Sequence, residues 1–280
     1  MNARLATVDA QGNEKILYEP FPHIGCKICD DAEAAGTYDP SKATQRAFHA
    51  STAPNLLALG TRGTGKSLQL RMDFIIRCLM IPRFPALIVR RTMPELRRSH
   101  LVFIDYEMQQ LGGVFLHTTN VAKFPNGSSL TLAHCETEAD VLNFLSSQYG
   151  AIGFDELSTF TLAQFLQISS AARAPVDADY QAVVRAGSNT LGIGSNWMKE
   201  WFVDKTVRLD DYPDYHPDDF QLMFSTLKEN PHLDREQYAA RLKNLPEHVR
   251  RSWLLGEFIT EGQYFSDFHP SMEIDVEDAA

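Results

Sequence analysis

One stretch constrains this chain more than any other: "NLLALGTRGTGKSLQL", residues 55–70. A short apolar run ends on Gly60, which suits a buried parallel strand. Gly60, Gly65, Lys66 and Ser67 then satisfy the spacing G-x-x-x-x-G-K-[ST], and residues 66–80 are helix-compatible until Pro82 and Pro85 stop them. Strand, glycine-rich turn and helix in that order make a phosphate loop. Glycines 60, 63 and 65 let the backbone curl so that successive N–H groups face a phosphate, and the helix adds the positive end of its dipole. Lys66 is expected to reach the β- and γ-phosphates, and Ser67 to offer its hydroxyl to Mg2+. The candidate nucleotide-binding set is therefore Gly60, Thr61, Arg62, Gly63, Thr64, Gly65, Lys66 and Ser67.

A second element turns binding into hydrolysis. In "GAIGFDEL" a buried strand ends on Asp155 and Glu156, delivering two carboxylates to the edge of the sheet beside the phosphate loop. Asp155 is the candidate Mg2+ ligand, and Glu156 the candidate base that polarises an attacking water. Kinases and switch GTPases seldom place a second acid at this position. No guanine-reading N/T-K-x-D segment follows the loop, so the base expected is adenine and the cofactors are ATP and Mg2+. A third segment, "AGSNTLGIGSNW", puts Ser188 and Asn189 at the end of a further strand, where they would meet the γ-phosphate or the water. Gly192 and Gly194 behind them are expected to act as hinges.

The rest of the chain fits an open α/β sheet. "ALIVRR" (86–91) is the next expected strand, and Pro94 is placed to open a helix. "VFLHTTNVAKFPNGSSLTLAHC" predicts two strands around the Asn126–Gly127 turn. Residues 150–156 and 181–189 predict two more buried strands with helical sequence between them. This alternation means a mostly parallel central sheet flanked by helices. The expected organisation is an irregular arm over 1–50, an ATPase core over 51–190, a small helical subdomain over 191–268 and an acidic tail over 269–280.

Composition limits the remaining classes. The fractions of 44% hydrophobic and 22% charged residues in 280 residues are those of a soluble globular protein. No apolar run approaches the roughly 20 residues of a membrane span, and the N-terminus lacks a signal-peptide core. A cytosolic protein without membrane contact is expected. The net charge of −10 hides a basic stretch: residues 60–100 hold nine Lys or Arg against Asp73 and Glu95. A local basic surface suffices for phosphate contacts, so overall acidity does not exclude DNA. Cys26 and Cys29 form a lone CxxC near His23, without the second pair that zinc sites usually have.

Taken in order, several segments resemble the ATPase part of the large terminase subunit of tailed bacteriophages. They are "TQRAFHAS", "GTRGTGKS", "LIVRRTMPELRRS", "FPNGSSLTL", "YGAIGFDELSTF", "GSNTLGIGSNWMKEWF" and "LKENPHLDREQYAARLKNLPEHVRRSWLLGEF", spanning about residues 38–268. The resemblance implies that Gln45 contacts adenine, with Phe48 packing or stacking nearby. It implies that Arg62 contacts the γ-phosphate from within the loop, and that Ser188 and Asn189 couple hydrolysis to subdomain movement. Thr190 stands where the family usually has proline. An arginine supplied by a neighbouring subunit is also implied; Arg90, Arg91, Arg97, Arg98 and Arg173 are the candidates. The implied partners are double-stranded DNA held by its backbone, the capsid portal protein, the small terminase subunit and further copies of the chain in a ring. The implied setting is the cytoplasm of an infected host cell, with transient docking on the procapsid.

Family members continue into a ribonuclease-H-like nuclease. Here Glu273, Asp275, Glu277 and Asp278 lack strand context, so they are expected to be a solvated acidic end and no DNA cutting is expected. Two rivals stay open: another phosphate-loop ATPase of helicase or recombinase type, and a nucleotide-gated assembly protein with little turnover.

Overall fold

The structure, a computed structural model, describes residues 5–8, 14–18, 43–225, 240, 242–243 and 245–258. Alternation within the buried strands divides the core into two layers. In β3 (Asn55–Gly60), Leu56 and Ala58 face one side of the sheet and Leu57 and Leu59 the other. In β4 (Pro85–Arg90), Ala86 and Ile88 oppose Leu87 and Val89 in the same way. A strand buried on both faces has to be apolar throughout, and helices have to cover both sides.

These two strands share the main sheet with β5 (Val114–Leu116), β6 (Val121–Lys123), β7 (Ser129–His134), β8 (Ala151–Asp155), β9 (Val183–Ser188) and β10 (Phe220–Ser225). The eight lie in the order β10-β3-β9-β8-β4-β7-β6-β5. Every pairing from β10 to β7 is parallel, and β7, β6 and β5 are joined antiparallel. The carboxyl ends of β10, β3, β9, β8 and β4 therefore reach one edge together. That edge is where open α/β sheets bind ligands.

Two helices flank β3 in the chain. Helix α1 (Ala43–Ala50) precedes β3, and α2 (Lys66–Met80) follows the phosphate loop. The ring Nδ1 of His49 on α1 is 3.0 Å from Asp73 Oδ1 on α2, and Arg77 Nε donates to Asp73 Oδ2 at 2.8 Å. Arg185 of β9, with no exposed surface, donates to the backbone carbonyls of Ser51, Ala53 and Val184. Beyond β4 the chain is helical from α3 (Met93–Leu96) through a π-helical turn (Arg97–Leu101) to α4 (Val102–Gln110). Thr92 caps α3 by accepting the Glu95 N–H, with Pro94 in the first turn as expected. Later in the chain come α5 (Leu142–Leu145), α6 (Leu162–Ser169), α7 (Ser195–Met198) and α8 (Glu247–Leu255).

Four sequence expectations need correction. The arm is not wholly irregular: β1 (Leu5–Val8) and β2 (Glu14–Tyr18) pair antiparallel, and α1 closes it. The expected two-strand hairpin has three strands, because Asn120 turns with φ 52° and frees residues 114–116 to pair with β6. The stretch from 191 is not a wholly separate helical subdomain, since β10 pairs along its full length with β3 and extends the sheet. Cys135 lies just beyond β7 rather than in it. Cys78 and Cys135 are buried and free, and the described residues hold no group of three or more His, Cys, Asp or Glu side chains fit for a metal. Cys26, Cys29 and the tail over 269–280 lie outside the described residues. No described helix is long and apolar enough to cross a membrane.

Candidate active site

The phosphate loop follows β3 without a spare residue. Gly63 and Gly65 have φ of 85° and 83°, a conformation that L side chains resist. Gly60 is required for a different reason. A Cβ there would stand 2.2 Å from the Ser225 carbonyl oxygen, because β10 runs alongside. Thr61 N–H donates to that same carbonyl at 3.2 Å, which fixes the entry to the loop.

Lys66 opens α2 and is buried. Its Nζ donates to the carbonyls of Gly60 at 3.1 Å and Thr61 at 2.9 Å, and to Asn189 Oδ1 at 2.9 Å. Burial lowers its pKa to about 8, against the opposing pull of the Glu156 and Asp155 carboxylates. Asn189 uses its other end on Glu156, its Nδ2 lying 3.2 and 3.1 Å from the two carboxylate oxygens. Lys66, Asn189 and Glu156 thus form one hydrogen-bonded chain across the ends of three strands. Glu156 is half-buried with φ 61°, a strained conformation for a side chain of this kind. Burial and the neighbouring Asp155 charge raise its pKa, with Lys66 and Arg90 opposing. A carboxylate so raised is a better proton acceptor.

Asp155 is buried, and all its contacts hold the ionised form. Oδ1 accepts from Ser67 Oγ at 2.9 Å; Oδ2 accepts from Arg90 Nη1 and lies 3.0 Å from His100 Nε2. Burial alone would raise its pKa; His100, Arg90 and Ser67 together bring it well below the usual carboxylate range. Mg2+ takes hard oxygen ligands and usually keeps only one or two protein carboxylates beside the substrate phosphates. The Ser67 hydroxyl and Asp155 carboxylate, side by side at the loop, fit that demand.

Several expectations about side chains change. Phe48 has no exposed surface and packs edge-on to His49 within the core, so it packs rather than stacks on a base. Gln45 is buried, and its Oε1 has no hydrogen-bond partner among the described residues. Arg62 is exposed, its guanidinium 4.2 Å from the centroid of the Trp253 ring, and its N–H donates to the Trp253 carbonyl at 3.1 Å. Trp253 belongs to α8, whose Ser252 Oγ lies 2.8 Å from Thr190 Oγ1. Thr190 also donates to the Glu257 carbonyl at 2.7 Å. Gly192 and Gly194 are places of close approach, not open hinges. A Cβ at Gly192 would meet the Ser158 carbonyl at 2.3 Å, and one at Gly194 the Phe160 carbonyl at 2.5 Å. Ser188 Oγ accepts the Ser158 N–H, lacing the two loops together. Among the candidate arginines, Arg90 is committed to Asp155, Arg91 to Gln164 and Arg173 to the Ser147 carbonyl. Arg97 and Arg98 are exposed.

Arg90, His100 and Trp253 were not singled out from the sequence for these positions. Arg90 was legible in part, as the charged end of a buried strand. His100 and Trp253 carry no local signal.

Residues 55–256 match the family model for the phage terminase large subunit. The chain belongs to this family. No curated protein sequence matches it. Among solved structures, the terminase fold is close to that of the large terminase of a thermophilic bacteriophage, with TM-score 0.63 and 15% identity over 82% of this chain and 57% of that one. The ATPase domain of the Thermus phage P74-26 large terminase gives TM-score 0.60 and 17% identity over 82% of this chain and 98% of that domain. The HK97 bacteriophage large terminase gives 0.53 and 12% over 77% and 50%. The chain thus spans little more than half the length of the first of these proteins, and its fold is that of a P-loop NTPase.

Proposed function

We propose that this chain is the ATP-hydrolysing motor part of a phage DNA-packaging terminase, coupling hydrolysis to translocation of double-stranded DNA into a capsid. The observation that carries the catalytic half is the chain Lys66–Asn189–Glu156, which joins the phosphate loop, the strand-end base and the coupling segment by direct hydrogen bonds. Family membership and the structures of the thermophilic phage's large terminase with ADP and with ATP-gamma-S support a nucleotide at this edge.

In this reading the N–H groups of residues 63–67 and the Lys66 ammonium hold the phosphates, and the Arg62 guanidinium adds charge at the γ-phosphate once it leaves Trp253. Ser67 and Asp155 would hold Mg2+, which on binding neutralises phosphate charge. Glu156 accepts a proton from the water that attacks. Asn189 and Ser188 relay the change to Thr190 and so to α8. Gln45, whose Oε1 has no hydrogen-bond partner among the described residues, serves the adenine. The ATPase core then runs from 51 through Ser225, with the helical lid part behind it. The proposed partners are the DNA backbone, the portal protein, the small terminase subunit and further copies in a ring. The proposed setting is the infected cell's cytoplasm, with docking on the procapsid and no cutting by this chain.

Lys66→Ala and Glu156→Ala test the site by phosphate release. Each is expected to lower the rate by at least about a hundredfold, the usual scale for loss of a general base or a key charge. Glu156→Ala should still bind nucleotide. If both variants hydrolyse ATP like the parent, the assignment is wrong. Stimulation by DNA together with a portal-bearing capsid separates a packaging motor from a helicase relative, which would instead unwind a forked duplex.

A further inference from the structure

The geometry points to His100 as a positioning residue that holds the Asp155 carboxylate in register with Ser67. His100 has no exposed surface and sits in the π-helical turn between α3 and α4. Such turns are uncommon and frequently mark functional positions. Its Nε2 is 3.0 Å from Asp155 Oδ2, and its Nδ1 faces Arg71 Nη1 at 3.5 Å. A guanidinium carries only donors, so Nδ1 is the accepting nitrogen and Nε2–H donates to the carboxylate.

Arg71 is itself fixed. Its Nε and Nη2 each donate to the Glu107 carboxylate at 2.8 Å, and Nη1 donates to the Ser99 carbonyl at 2.9 Å. Ser67 and Arg71 are four residues apart on α2 and share a helix face. The same face therefore reaches Asp155 twice, directly through Ser67 on Oδ1 and through Arg71 and His100 on Oδ2. With Oδ2 held by His100 and Arg90, the carboxylate cannot rotate, and Oδ1 stays beside the Ser67 hydroxyl. Residues that orient a metal-binding carboxylate typically change metal affinity by about 10–100-fold when removed. His100 is assigned that part, which rests on the proposed ATP and Mg2+ site.

Two polar replacements separate positioning from packing. In His100→Gln the side-chain amide reaches the Nε2 position and can donate to Asp155. In His100→Asn it reaches only the Nδ1 position beside Arg71. The readout is the affinity for a fluorescent ADP analogue, measured with Mg2+ and with chelator, alongside the melting temperature. His100→Asn is expected to leave metal-free binding unchanged and to reduce the Mg2+-dependent gain in affinity by about tenfold. His100→Gln should retain most of that gain. The assignment is overturned if His100→Asn keeps the parental gain, if Gln is no better than Asn, or if binding with and without Mg2+ falls equally with melting temperature. A parent protein that binds no nucleotide overturns the proposed function itself, and His100's part with it. A parent that binds normally while the Asn variant keeps its gain refutes the His100 assignment alone.

Discussion

Replacing Thr190 by valine tests whether the segment after Asn189 is mechanically joined to α8. Thr190 has no exposed surface; its hydroxyl donates to the Glu257 carbonyl at 2.7 Å and stands 2.8 Å from Ser252 Oγ. Valine has nearly the same shape, so the packing stays while two hydrogen bonds go. Each buried polar group left without its partner costs about 1–3 kcal/mol. Among the described residues, this end of α8 keeps the Arg62 N–H to Trp253 carbonyl bond at 3.1 Å, the guanidinium over the Trp253 ring and the close approach of Gly256 to the Phe224 ring. Because Arg62 is exposed, the ring contact adds only about 0.5–1 kcal/mol. A loosening of about 2 kcal/mol raises the open fraction of α8 roughly thirtyfold, since 1.4 kcal/mol is about tenfold. Amide hydrogen exchange followed by mass spectrometry should therefore show residues 247–255 exchanging roughly thirtyfold faster. Residues of α2 and β8 should keep their parental rates. Unchanged exchange over 247–255 would refute the joint. Uniform acceleration everywhere would mean that Thr190 supports global stability instead.

Two further substitutions probe the frame around the site. Asp73 is buried between His49 and Arg77; burial alone would raise its pKa, but Arg77 and His49, with Arg185 farther off, hold it well below the usual range. A depressed carboxylate contributes stability above its unfolded pKa of about 4 and loses it as pH falls toward the folded value. Asp73→Asn is therefore expected to cost about 3 kcal/mol at pH 7, a gap narrowing by about 1 kcal/mol at pH 3. Urea unfolding at the two pH values measures it, and an equal gap at both would contradict the assignment. Gly192 has φ 152° and its Cβ position lies 2.3 Å from the Ser158 carbonyl. Gly192→Ala should cost about 2 kcal/mol and lower the melting temperature by about 5 °C. A fully stable, fully active Gly192→Ala would show that the two loops need not touch.

What the sequence made legible was local. The strand Asn55–Gly60 and the helix Lys66–Met80 carry their boundaries in glycine, proline and apolar pattern, and both stand where the spacing put them. Asp155 and Glu156 were legible because a short apolar run leads straight into two adjacent carboxylates. β10 was not: Gln221 and Phe224 are exposed in an edge strand, so "FQLMFS" lacks the buried run that announces a central strand. Arg90 and His100 lie 65 and 55 residues from Asp155, and only the pairing of β4 with β8 brings the first of them there. The Trp253 contact to Arg62 depends on α8 folding back over the loop, a long-range event with no period to reveal it. Side chains that touch ligands sit in patterned segments. Those that hold them in place come from anywhere the topology allows.

The hydrogen bonds of Lys66 sharpen the proposed coupling. Its ammonium is shared among two loop carbonyls, the Thr64 hydroxyl and Asn189. A phosphate that recruits the ammonium has to compete with those acceptors, and Asn189 is the one that lies outside the phosphate loop. Asn189 in turn holds the Glu156 carboxylate, and the next residue, Thr190, is bonded to Ser252 and Glu257. Arg62 makes the second connection, since it too has to choose between a phosphate and the Trp253 ring. Both contacts meet α8, one at Ser252 and one at Trp253. In the proposed motor, an anion in the loop therefore weakens the grip on α8 from two sides at once. On that proposal, charge at the strand ends becomes movement of α8 without any rearrangement of the sheet.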